Sequence, residues 1–253
     1  MLSALFLLVL PLKIKQTKMK RIIFTLLLAG IGFYASQAQT KVYATGGMEM
    51  IFSFAQTDNN GTTGGNIMRW APVFNVQVFG NADFGKHFGL IFGGAIRNVG
   101  FIYQVPDTTI NLKKKYRNYN LAIPIGFKLG NMHKFLFFGG YEIEFPFSYK
   151  EKTFINNEKQ DNKITAWFSP RVPSVYHSAF LGVQFPYGFT LKFKYYFSEF
   201  FNQNFTQSDG QGTTYQPYKG FKANVWYFSL GFALFKNNHV YYKEEAKKRV
   251  DYY

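Results

Sequence analysis

Between residues 42 and 234, in segments divided by polar stretches, large apolar side chains recur at every second position, and this period limits the fold more tightly than any other feature of the chain. In 74–84 the even positions are Phe74, Val76, Val78, Gly80, Ala82 and Phe84, against Asn75, Gln77 and Asn81. Residues 88–97 oppose Phe88, Leu90, Phe92 and Ile96 to Gly89, Gly93, Ala95 and Arg97. In 119–129 Tyr119, Leu121, Ile123, Ile125, Phe127 and Leu129 face away from Asn120, Ala122, Pro124, Gly126 and Lys128. The same alternation runs through 135–147, 181–185, 189–197 and 226–234, with a weaker copy at 47–55. A period of two is the spacing of side chains on one face of a strand, so the pattern predicts eight strands, each greasy on one side and polar on the other.

The connections alternate in length. Short turns at 85–87, 130–134 and 186–188 take turns with long polar stretches such as "PDTTINLKKKYRN", expected to be an external loop, and "YKEKTFINNEKQDNKITAWFSPR". Turns at one end and long loops at the other are the mark of a transmembrane up-and-down barrel, with its turns in the periplasm and its loops outside the cell. The expected fold is therefore all-β: one eight-stranded antiparallel up-and-down transmembrane β-barrel over residues 41–236. Volume decides which face points out. Eight strands enclose only enough room for side chains, and the bulky face would overfill that lumen.

Glu49, Arg97, Lys128, Glu142, Glu144, Lys192 and Lys194 then lie inside, where charges held away from bulk water need partners, and they are expected to form one ionic network that plugs the barrel. Phe84, Phe88, Phe127, Phe135, Phe185 and Phe189 flank the short turns on the apolar face and are expected to form an aromatic girdle at the periplasmic interface.

The amino terminus has the character of an address. Met19-Lys20-Arg21 is a basic n-region, Ile22–Tyr34 an apolar h-region, and Ser36-Gln37-Ala38 a small-residue cleavage site, so 19–38 is expected to be a signal peptide and 1–18 an upstream extension. Loss of 1–38 removes Lys13, Lys15, Lys18, Lys20 and Arg21 and no acid, which lowers the formal charge from +15 to +10. A basic exported chain meets phosphate-bearing lipid or polysaccharide before nucleic acid, and no stacking motif argues for the latter. Residues 237–253 are expected to form a periplasmic tail. The absence of cysteine excludes a disulfide framework, a thiolate metal site and a Cys nucleophile.

The run "RNYNLAIPIGFKLG" at 117–130, between a basic loop and an aromatic strand, resembles the fourth strand of the outer membrane β-barrel domain family of PorT-like and OmpX-like eight-stranded proteins of Gram-negative bacteria. That resemblance implies a fold and an outer-membrane location more than an activity, and it makes a secretion or envelope protein a candidate partner. One departure is the tail after Phe235, where such barrels usually finish with an aromatic at the end of the last strand.

Candidate chemistry is sparse. Glu142 and Glu144 share a strand face, but a lumen salt-bridge network accounts for them better than paired-carboxylate catalysis does. His177 and Ser178 are adjacent, so on a strand they point to opposite faces and cannot act together as base and nucleophile of a lipid-modifying enzyme. His87, His133 and His239 show no ligand spacing, and no metal, cofactor or catalytic residue is expected. Lys113, Lys114, Lys115 and Arg117 form the sharpest charge cluster, a candidate for holding phosphates of lipopolysaccharide. The expected role is that of a monomeric, non-enzymatic surface protein without an open pore; the alternatives are a lipid-modifying enzyme and a narrow solute channel.

Overall fold

The computed structural model describes residues 40–106, 109–132 and 134–235. The proposed upstream extension, signal peptide, tail, His133 and His239 lie outside these residues. Eight long strands form the wall: β1 Thr40–Asn59, β2 Val76–Phe84, β3 Phe88–Gln104, β4 Leu112–Gly130, β5 Leu136–Ile155, β6 Tyr176–Gln184, β7 Thr190–Tyr196 and β8 Phe221–Phe235. Each pairs antiparallel with the next, and β8 returns to β1 through a ladder that joins Asn59 to Phe221 at one end and Gly46 to Phe235 at the other. The ring is closed. Closure removes the unpaired edges that an open sheet of this length would expose.

Alternation fixes the two faces. On β4, Leu121, Ile123, Ile125, Phe127 and Leu129 are exposed, while Asn118, Asn120, Ala122 and Lys128, of the opposite parity, are buried. The ten-residue step from Leu129 up to Tyr119, at about 3.3 Å per residue and about 40° of tilt, is about 25 Å tall, the height of the apolar band on a membrane barrel. Ile125 is 63% exposed and Leu181 63%, which suits a lipid surface and no aqueous one.

Several strands run well past the sequence-predicted limits. β1, β3, β4 and β5 extend toward the long connections, so Lys113, Lys114, Lys115 and Arg117 sit on β4 and not in a loop as expected. Two of the descending strands are interrupted. A segment at Arg69–Ala71 pairs with β1 above β2, and one at Ile164–Trp167 pairs with β5 above β6, leaving excursions at 72–75 and 168–175. Each excursion holds a phenylalanine in the left-handed region that non-glycine residues seldom adopt, Phe74 at φ 62° and Phe168 at φ 46°. Phe74 therefore leaves the ladder that its parity predicts, yet still points outward. Asn75 fills the first break: its side chain donates to Ala71 O at 2.8 Å and accepts from Asn98 N at 2.7 Å.

The lumen is filled at two levels. Its middle is polar and charged. Its upper part is an aromatic core that sequence parity did not predict, because three of its members, Phe200, Phe201 and Tyr218, come from the connection between β7 and β8. That connection drops into the barrel mouth, where Phe200 N donates to Ala223 O at 2.8 Å and Tyr176 Oη donates to Phe200 O at 2.7 Å. Phe201 stacks on Tyr218 at 4.3 Å and meets Phe101, Tyr116 and Phe221.

Candidate functional site

Three groups of charged residues are positioned by the alternation. The first is the lumen knot. Arg97 on β3 is fully buried and donates through Nε to Glu142 at 3.1 Å, through Nη1 to Glu49 at 3.1 Å and to Gln77 at 2.9 Å. Lys192 reaches Glu49 at 2.5 Å, and Lys194 reaches Glu142 at 2.5 Å and also contacts Glu144. Glu144 further accepts from Asn120 at 2.6 Å and Tyr196 at 2.6 Å. Three cations thus meet three carboxylates in a charge-balanced ring contributed by alternate strands, β1, β3, β5 and β7. Balance matters because an unpaired charge at this depth is far costlier than a paired one.

Lys128 stands apart from that ring. It pairs with Asp83 at 2.5 Å and donates to Tyr43 Oη at 3.0 Å and Asn81 Oδ1 at 2.9 Å, near the short turns. Asp83 was missed by sequence reasoning, although it shares parity with Asn81 on the inward side of β2. Between the two groups lies a cavity of ≈ 100 Å³ bordered by Tyr43, Glu49, Gln77, Lys128 and Lys192.

The six phenylalanines near the turns all keep to the outer side of the wall. Phe84 and Phe88 stack at 5.9 Å, and Phe185 contacts Phe135 at 5.5 Å and Phe189 at 5.7 Å. Phe127 is 44% exposed one strand away from Phe88.

The third group is on the outer wall above the apolar band. Arg117 stands directly opposite Lys150, and Lys115 directly opposite Lys152, so two successive cross-strand pairs of β4 and β5 carry like charge on one face. Among the described residues none of these four is in an ion pair. Lys113 donates to Asn157 at 2.9 Å beside them. Lys114 does not join them, because it turns inward and pairs with Glu151 at 3.3 Å. Burial first, and then the neighbouring Arg69 and Arg117 cations, push the Lys115 ammonium below its ordinary range; Lys152 is lowered by partial burial and by Arg117, Lys159 and Lys163. Arg117 and Lys150 lie over the Tyr119 ring at 5.6 Å and 5.4 Å. Arg69 adds a buried cation from the strand beyond, its guanidinium held by Asn98 O at 3.0 Å and by the Asn98 side chain.

Lys150 and Lys152 also escaped sequence reasoning. A bulge at Phe147, where Asn120 pairs with Pro146 but Tyr119 pairs with Ser148, reverses the parity of β5 above it. At the mouth Glu151 consequently faces in, toward Tyr149 at 2.9 Å and Tyr218 at 3.2 Å; burial, then the Glu151 carboxylate, raise the Tyr218 phenol to about 12.

No catalytic constellation is assembled from the candidate residues. His177 points outward to Tyr141 Oη at 2.7 Å, while Ser178 is buried and donates to Glu142 O at 3.0 Å. Among the described residues no cluster of three or more His, Asp or Glu is placed to hold a metal.

Neither a protein-family model nor a curated protein matches the sequence. Among solved structures the chain is similar to Ail, the attachment invasion locus protein of Yersinia pestis, in complex with the heparin analogue sucrose octasulfate, at 10% identity and a TM-score of 0.36, over 76% of this chain and 99% of that one. It is also similar to Neisserial surface protein A, at 7% identity and a TM-score of 0.34, over 75% of this chain and 98% of that one.

Proposed function

We propose that this protein is an integral outer-membrane barrel of a Gram-negative cell, with its short turns in the periplasm, and that it serves as a non-enzymatic, non-conducting surface protein which binds phosphate-bearing saccharide on its outer wall. The observation that carries this is the doubled like-charge pairing of Arg117 with Lys150 and Lys115 with Lys152. Directly opposed like charges destabilise a sheet, and these have no carboxylate to relieve them, so a multivalent anion is the complementary partner. Outward apolar side chains over about 25 Å of height support the membrane location, and the filled lumen supports the absence of a pore.

The test is binding of a deacylated, bis-phosphorylated glucosamine disaccharide to the refolded barrel. Arg117→Gln together with Lys150→Gln is expected to weaken it about tenfold or more, as loss of charge-assisted hydrogen bonds does. Equal affinity in the double variant, or affinity indifferent to salt, would sink the proposal.

A further inference from the structure

Below the basic pairs the outer wall carries a groove of ≈ 560 Å³, formed where the 168–174 excursion leans over β3, β4 and β5. Its lining is almost wholly apolar, with Ile96, Leu121, Phe145, Phe147, Phe168 and Val172 among it. The size falls within the range that encloses a small ligand, and a bilayer-facing wall has no packing reason to keep such a recess. The roof is costly to hold, since Phe168 takes its left-handed conformation while 78% exposed. Its amide donates to Phe147 O at 3.0 Å, which fixes the excursion to the bulge of β5. Strain of this kind persists where surrounding structure enforces it, and it concentrates at ligand sites.

Groove and cations are continuous. Phe147 lines the groove, lies 6.3 Å from Tyr119 and stacks on Trp167 at 5.9 Å. Tyr119 in turn carries Arg117 and Lys150 over its ring and meets Phe74 at 5.9 Å. An aromatic belt from Phe74 to Trp167 therefore separates a cationic surface above from an apolar recess below. Arg117 and Leu121 are four residues apart on one strand face, about 13 Å. That is the layout of an amphiphile with an anionic head and a hydrocarbon tail, seated upright at the outer rim of the apolar band.

We propose that this panel of β3, β4 and β5 is a lateral site for one phosphorylated, acylated saccharide lipid of the outer leaflet, with Arg117, Lys150 and the lysines above them on its phosphates and one acyl chain in the groove under Phe168. The proposal rests on the anion-binding function above and adds to it the lipid nature of the ligand. Arg69, held behind Asn98, supplies a fixed positive charge to the same panel without leaving its own hydrogen bonds.

Native mass spectrometry of the full chain in detergent tests it with three probes: bis-phosphorylated lipid A, its dephosphorylated form and the deacylated disaccharide. Lipid A is expected to occupy one site at least about tenfold more tightly than the disaccharide, because a chain in the groove leaves its surroundings for a fitted apolar seat. Ser174→Trp, at an exposed lining position, should fill the groove and abolish that advantage; Phe168→Ala, which opens its roof, should reduce it without adding bulk. If lipid A and disaccharide bind equally in the wild type, or if both variants keep the full preference, the groove proposal fails while anion binding stands. Dephosphorylated lipid bound as tightly as lipid A would overturn the role of the cations in this site. If no phosphorylated probe binds, the proposed function fails with it.

Discussion

Replacing Arg97 with Met should be the most damaging single change to the charged lumen. The guanidinium is fully buried and makes hydrogen bonds to Glu142, Glu49 and Gln77, and with Lys192 and Lys194 it balances three carboxylates. Arg97→Met leaves three carboxylates facing two ammonium groups. Removal of one partner from a buried pair costs about 3–5 kcal/mol, and the bidentate contact to Glu142 argues for the upper half of that range. Glu49→Gln alone leaves the opposite excess, but Glu49 borders the ≈ 100 Å³ cavity, so water can enter and its loss should cost less. Combining the two restores two cations to two carboxylates. The double variant should therefore be more stable than the sum of the two single losses predicts, by about 1–3 kcal/mol of coupling. Urea titration in phospholipid vesicles, with folded and heat-unfolded bands separated on gels, gives all three free energies. A cost below about 1 kcal/mol for Arg97→Met, or a double variant as unstable as the sum of the singles, would refute the charge-balance account.

Ile123 sits midway along the outward face of β4, so Ile123→Lys should cost about 2–4 kcal/mol in a bilayer; a neutral result would mean that the apolar face does not meet lipid. Phe201 is 2% exposed within the aromatic core, and Phe201→Ala should lose about 3–5 kcal/mol and open the mouth to trypsin at Arg171 or Lys219. Unchanged proteolysis would show that the loop is held by other contacts. Because burial and surrounding cations favour the neutral amine of Lys152, an acylating reagent at mildly alkaline pH should modify it early among surface lysines, and a bound phosphorylated ligand should suppress that reaction. A rate that ignores the ligand would separate Lys152 from the binding surface.

The wall was legible because a period of two survives wherever the ladder is regular. Parity alone assigned Arg97, Glu142, Glu144, Lys192 and Lys194 to one side, and their ion pairs link β3, β5 and β7 across the lumen. Legibility ended where the ladder changes phase. Continued past Phe145 and Phe147, the alternation of β5 would turn Lys150 and Lys152 inward and Glu151 outward; the bulge does the reverse. A single extra residue moves every later side chain to the other face. Phe74 keeps the outward face that parity gives it but not its place in the ladder, since nothing in its own run signals that the strand leaves the ladder for four residues. Phe200 and Phe201 were invisible to periodicity altogether. They lie in a connection, and their burial depends on the mouth of a barrel that exists only once all eight strands have closed.

That closure also supports placing the proposed binding chemistry on the outer wall. The lumen residues are committed: the charged ones to each other, the aromatic ones to a core that the β7–β8 connection seals from above. A ligand entering either level would have to displace contacts worth several kcal/mol. The outer wall has the opposite balance. Its like-charge pairs are unfavourable until an anion arrives, and its excursions hold two phenylalanines away from their preferred backbone conformations on either side of the same three strands. Sites that are strained or self-repelling without a ligand are those in which binding has free energy to recover. On β3, β4 and β5 those features coincide over a few residues of strand, and the interrupted ladders of β2 and β6 are what bring them to the edges of that panel.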